Sequence, residues 1–184
     1  MTSAYSFVFV PLEERHLALL AEWLTRPQVA VWWGDAETID ALRADYIENT
    51  DATRAYIAML DGVPVGFMQC YVVMGSGGGW WEDETDSGAR GIDQFLADAD
   101  RLGQGLGRAM VRAFVEQLFV DPSVTVVQTD PHPSNLRAIR CYEAAGFVRV
   151  GIVQTPDGDA LLMRCARPQA LMARSTAPVS LTSR

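Results

Sequence analysis

The chain contains no lysine: every one of the 15 basic side chains among its 184 residues is arginine. A nucleoside triphosphatase loop needs Lys-Ser or Lys-Thr after its last glycine, so that reading is excluded. Cysteine is scarce. Cys70, Cys141 and Cys165 are odd in number, lack metal-ligand spacing and sit inside apolar segments, so they are expected to be reduced, buried and structural, with no metal bound. The only histidines, His16 and His132, show no partner spacing and are read as structural. No apolar run approaches the length of a membrane span, and the N-terminus lacks the basic-then-apolar order of a secretory signal. A soluble, cytoplasmic protein without repeats is expected. Positive charge is also short: 23 acids give a net charge of -8, which argues against nucleic acid or an anionic membrane as partner and favours a cationic one.

What is present is apolar bulk, 49% of the residues, enough for one substantial core. One domain is expected over 1–168. The Ser, Thr, Pro and Arg content beyond Pro168 reads as a flexible tail over 169–184. Charge is unevenly divided: residues 1–100 hold 17 acids and 5 arginines, whereas residues 101–184 hold 6 acids and 10 arginines. One half is expected to attract cations and the other anions.

Aromatic and β-branched residues alternate from Tyr5 to Val10, predicting a strand, and Leu12, Leu17, Leu20 and Leu24 then recur at near-helical spacing. Ile39, Leu42, Tyr46 and Ile47 give a weaker helical pattern. Arg54–Leu60 and Val63–Met74 flank Asp61-Gly62, a hairpin signal. The glycine-rich stretch Gly75–Gly79, followed by Trp80-Trp81-Glu82-Asp83-Glu84, reads as a long functional loop. Strands are expected over Arg90–Leu96 and Val124–Gln128. Leu106, Met110, Phe114 and Leu118 form one helical stripe, and Ser134 is the expected cap of a helix that stops at Gly146. Phe147–Gln154 and Ala160–Cys165 flank a turn at Pro156-Asp157-Gly158.

Between the strand ending at Leu96 and the helix from Gly105 lies Leu102-Gly103-Gln104-Gly105-Leu106-Gly107. Alternating glycines at a helix N-terminus leave backbone N–H groups open to a phosphate, with Arg101 and Arg108 as supplements. Such a pattern is weak alone. A dinucleotide fold wants it near the start of a βαβ series, whereas here it is mid-chain and followed by the Asp121-Pro122 break.

This segment, with its flanking strand and helix and with Asn135 to Gly146-Phe147 downstream, resembles the GNAT N-acetyltransferase superfamily. Leu102 departs from the Gln or Arg usual at the first motif position, without affecting the backbone amides. Trp32-Trp33-Gly34, Gly75-Ser76-Gly77, Gly79-Trp80-Trp81-Glu82, Arg90-Gly91-Ile92-Asp93-Gln94, Thr129-Asp130-Pro131 and Ser134 to Glu143 resemble aminoglycoside 6'-N-acetyltransferases in particular. The likeness covers most of the chain except the tail. It implies an α/β (α+β) fold with a mixed central sheet of about six to seven strands flanked by helices. It also implies acetyl-CoA in a cleft where the central strands splay, and direct transfer to a polycationic antibiotic by a monomer or homodimer.

Residue by residue, the resemblance implies Asp93 as general base; its sequence context alone also fits an edge-strand carboxylate facing solvent. Tyr142 matches a tyrosine near the thiol and is expected to supply a proton there, although a Tyr on an apolar helix face is commonly core. Gln94, Phe95, Leu96, Arg101, Gly103, Gln104, Gly105, Leu106, Gly107, Arg108 and Asn135 are assigned to the cofactor. Asp130 is assigned to a second ammonium, with a turn-forming Asp before Pro131 the other possibility. Trp32, Trp33, Tyr46, Trp80, Trp81 and Glu82 complete the substrate set, one member of each tryptophan pair being expected in the core. Seven acids from Glu82 to Asp100 are read as a cation-attracting wall, or as a solvated loop. Gly78 stands where close relatives carry an acid. Other amines, such as a polyamine, a siderophore precursor or a protein terminus, remain alternative acceptors, as does a non-catalytic acyl-CoA-binding module.

Overall fold

The computed structural model describes residues 5–34, 37–48 and 53–168; the tail expected over 169–184 lies outside the described residues. Alternation at the start of the chain produces β1 (Phe7–Pro11), and the leucines that follow bury one side of α1 (Leu17–Leu24). Pro27 opens α2 (Pro27–Trp33) at its first turn, where a missing N–H costs nothing, and α3 (Ile39–Arg43) begins at a Thr38 cap. Residues 44–48, including Tyr46, then widen into a single π turn.

Asp61 and Gly62 both adopt positive φ, 51° and 78°, as a tight two-residue hairpin requires, and so join β2 (Thr53–Leu60) to β3 (Val63–Val72). After the glycine and tryptophan loop come β4 (Ala89–Leu96), α4 (Leu106–Leu118), β5 (Val126–Thr129), α5 (Leu136–Ala145), β6 (Val148–Thr155) and β7 (Gly158–Ala166). The strands form one seven-stranded mixed sheet in the order β1-β2-β3-β4-β5-β7-β6, as the resemblance implied.

Helices cover both faces. Met110, Phe114, Ile139 and Tyr142 from α4 and α5 pack on Met68, Ile92 and Met163. Across the sheet, Leu17, Leu20, Trp23, Val29 and Leu42 from α1–α3 pack on Ile57, Phe67 and Phe95. No helix among the described residues is long and apolar enough to cross a membrane.

Two local expectations are corrected. Asn135, not Ser134, caps α5, its Oδ1 accepting from Ala138 N at 3.1 Å, while Ser134 is engaged by His132. Of the cysteines only Cys70 is buried; Cys141 and Cys165 remain partly accessible, and all three are free thiols.

Candidate active site

β4 and β5 form the only parallel pair among the described residues, and the pairing is short. It joins Ala89–Gly91 to Val126–Gln128 and then stops, whereas on its other side β4 pairs with β3 along its length. Beyond Gly91 the strands part, and residues 92–96 of β4 present an edge without a strand partner on that side. Asp93 and Asp130 each lie two residues past the last pair, Gly91 with Gln128, so they stand at equivalent positions across the gap.

One end of this opening is a cavity of about 800 Å³. Gln94, Phe95 and Leu96 line it together with Gly103, Gln104, Gly105, Gly107 and Asn135. Gly105 holds a left-handed conformation, φ 82°, at the start of α4 and supplies no side-chain cap, which leaves the first-turn N–H groups facing outward. Gly107 serves packing: a Cβ there would lie 3.3 Å from Cys141 Sγ, so its absence lets α4 close on α5. The charged side chains of this wall are Arg108, Arg137 and Arg140, with no acid among them.

The other end, about 640 Å³, shares Trp32, Trp33, Gln94, Asn135 and Ala138 with the first and carries the opposite charge. Its ionisable lining is Asp93, Asp130, Asp157 and Asp159, joined by His132, Tyr46 and Tyr142. Gln69 Nε2 donates to Asp93 Oδ2 at 2.8 Å. Burial holds the Asp93 carboxyl above its usual range, the Gln69 bond partly opposing this. Asp130 is pushed up to about 7, first by burial and then by the charges of Asp93 and Asp157. Tyr142 is buried; loss of solvent raises its phenol well above the ordinary value, against hydrogen bonds from Thr129 and Gln94. Its hydroxyl is therefore neutral at pH 7.

Aromatic residues form the walls. Trp33 packs edge-on against Phe67 and Phe95, whereas Trp32 is 42% exposed and lies 6.1 Å from the His132 ring. Trp80 faces the acidic end. Trp81 and Glu82 do not line it, and Leu106 is in the core. Arg101 turns to Asp98, 3.6 Å away, instead of to the cavity.

The acids between Glu82 and Asp100 are redistributed by folding. Glu84 pairs with Arg164, Asp86 caps Gly88 and takes the Thr125 hydroxyl, and Asp98 binds Arg26. Of the seven, only Asp93 lines the acidic end; Asp130, Asp157 and Asp159 come from the more basic half of the chain. The expected split at residue 100 is thus not the split of the cleft. In the sequence Asp157 shows only as part of a turn, and Asp159, His132 and Gln69 carry no local signal; the β6–β7 hairpin and the β3–β4 pairing bring Asp157, Asp159 and Gln69 in.

Comparison with known proteins gives a consistent picture. The model of the acetyltransferase (GNAT) domain matches residues 13–155. The aminoglycoside N(6')-acetyltransferase type 1 of Klebsiella pneumoniae is 53% identical over 172 residues, 90% of this chain and 86% of its own. A kanamycin resistance protein of Rhizobium radiobacter is 63% identical over 100 residues, 54% of this chain and 93% of its own. The crystal structure of AAC(6')-Ib with coenzyme A and kanamycin superimposes with a TM-score of 0.85 at 50% identity, covering 94% of this chain and 100% of that one.

Proposed function

The chain belongs to the GNAT acetyltransferase family, and from that premise we infer that it acetylates the 6'-amino group of aminoglycosides with acetyl-CoA as donor, thereby conferring resistance to them. The observation that carries this is one cleft with an arginine-lined end and an aspartate-lined end, meeting where β4 and β5 part.

The arginine end fits the cofactor. The open N–H groups at the start of α4 and the guanidinium groups of Arg108, Arg137 and Arg140 suit phosphates, and the unpaired edge of β4 offers backbone groups to an extended amide chain, as an added strand would use them. Gln94 Oε1 is buried in this wall without a hydrogen-bond partner, an acceptor that suits an amide N–H. Acetyl-CoA supplies the activated acetyl group.

At the aspartate end four carboxylates face a polycation, and Trp32, Trp33 and Trp80 offer flat walls to sugar rings. The amine attacks only as the free base. Asp93 receives its proton through the oxygen not held by Gln69, directly or through water, while Tyr142 presents a neutral hydroxyl to the departing sulfur. Arrival of the cation lowers both raised carboxyls, so Asp93 becomes a base when substrate is present.

Four carboxylates also suit other polyamines, so the test is thiol release with kanamycin and related antibiotics beside spermidine and peptides. Turnover confined to the antibiotics, with raised resistance in bacteria expressing the gene, is expected; silence with every aminoglycoside would overturn the assignment. Binding of acetyl-CoA without turnover of any amine would leave a cofactor-binding module instead.

A further inference from the structure

The tryptophan loop has no regular structure of its own, yet two side chains from the sheet beneath reach up to it. The first is Arg164 on β7. Its Nη2 meets Glu84 Oε2 at 2.5 Å, and its Nε and Nη2 lie 3.2 and 3.0 Å from Gln128 Oε1 on β5. Gln128 is fully buried, and the Glu84 side chain is only 10% exposed. Glu84 Oε1 accepts from Asp86 N at 2.8 Å, and Glu84 N donates to Trp81 O at 2.9 Å. The ion pair therefore holds the turn that carries both tryptophans.

The second is Tyr71 on β3. Its ring crosses the neighbouring strand over Gly91, where a Cβ would fall 2.1 Å from the ring; only glycine leaves that path open. Its hydroxyl lies beside the indole of Trp81, whose buried N–H makes no hydrogen bond and which sits at the unusual φ of 50°. A bulky residue held in that conformation needs its surroundings to impose it.

We propose that Arg164 and Tyr71 are positioning residues for acceptor binding: through Glu84 and Trp81 they fix the loop that holds Trp80 over the acidic end of the cleft, without touching the acceptor. Neither residue lines that end. The proposal rests on the acceptor assignment above and extends it to residues outside the cleft. A half-buried pair of this kind, Arg164 being 35% exposed, is a poor source of net stability but favours one arrangement of its partners, which suits a support.

The experiment is steady-state kinetics of Arg164→Met and Tyr71→Phe, paired with the indole N–H resonances of the ligand-free proteins. There are five tryptophans, and Trp81 is assigned by its loss in Trp81→Phe. Arg164→Met is expected to raise KM for kanamycin about tenfold while kcat and KM for acetyl-CoA stay within twofold. Arg164→Lys, which keeps the charge toward Glu84, is expected to recover most of that loss, and the Trp81 resonance should move in Arg164→Met and in Tyr71→Phe. If Arg164→Met does not fold, Glu84→Gln carries the same measurement. Unchanged acceptor KM with an unmoved Trp81 resonance overturns the proposal, as does a parallel fall of kcat and both affinities. Should the parent protein acetylate no aminoglycoside, the acceptor assignment fails, and the indole resonances still report whether the two supports hold the loop.

Discussion

The two ends of the cleft share Trp32, Trp33, Gln94, Asn135 and Ala138, yet one presents three arginines and no acid and the other four aspartates. The arginines come from α4 and α5, where helix spacing sets them along one groove. The aspartates come from four separate places: the middle of β4, the end of β5, the β6–β7 turn and the start of β7. An anion with a fixed backbone can be held by one strand-turn-helix unit, whereas a polycation with spaced ammonium groups calls for carboxylates gathered from across the fold. The phosphate-binding turn is local in sequence, with Arg137 and Arg140 joining it from α5, whereas the aspartate site is assembled wholly from distant segments.

The sharpest test of that division is at its border. Asp93→Asn is expected to lower kcat about 10²- to 10³-fold while KM for acetyl-CoA stays within twofold, measured by thiol release. An unchanged kcat would transfer the proton-accepting role elsewhere, with Asp130, near 7, the group to examine next. Next in size, the double variant Arg137→Ala, Arg140→Ala should raise KM for acetyl-CoA about tenfold, more at low salt than at high, with KM for kanamycin unchanged. Conversely, Asp157→Asn with Asp159→Asn should raise KM for kanamycin about fivefold and leave acetyl-CoA alone. Crossed effects in these two experiments would break the division itself.

The smallest effect is on stability. Asp130 holds its proton up to about pH 7 in the folded chain and only to about 4 when unfolded. Its burial therefore costs nothing below that lower value, destabilises progressively as pH rises to 7, and costs its full amount above. Asp130→Asn should raise the Tm of the ligand-free protein by about 3 °C at pH 8, with the gain vanishing near pH 4. Calorimetry across that window is the check, and a gain at acid pH that matches the one at pH 8 would refute the burial cost.

The same contrast decides what was legible in the sequence. Gly103 and Gly105 announce their role because positive φ and helix entry are local properties, and Asp61-Gly62 announces a hairpin for the same reason. Asp93 was legible as a charge interrupting an apolar strand next to the glycines, though its proton-accepting role came from family resemblance. Glu84, Asp86 and Asp98 fit a cation-attracting wall or a solvated loop equally well in the sequence, because a run of acids shows its charge but not its partners; Arg164, Thr125 and Arg26 lie far off in sequence and claim them. Asp157, Asp159 and Gln69 went unread because nothing near them in sequence indicates that a hairpin turn and a strand pairing deliver them to the cleft.

The three-residue weld between β4 and β5 has a mechanical side. β1 to β4 form one plate and β5 to β7 another, joined strand to strand by the Ala89–Gly91 rungs alone and otherwise by the helices laid across and by the loop contacts Glu84–Arg164 and Asp86–Thr125. A ligand strung along the open rim of β4 acts as a splint between them. Amide exchange along that rim and along β5 should then be fastest in the bare protein and slow down once the splint is in place, so that binding is felt as stiffness across the molecule's whole width.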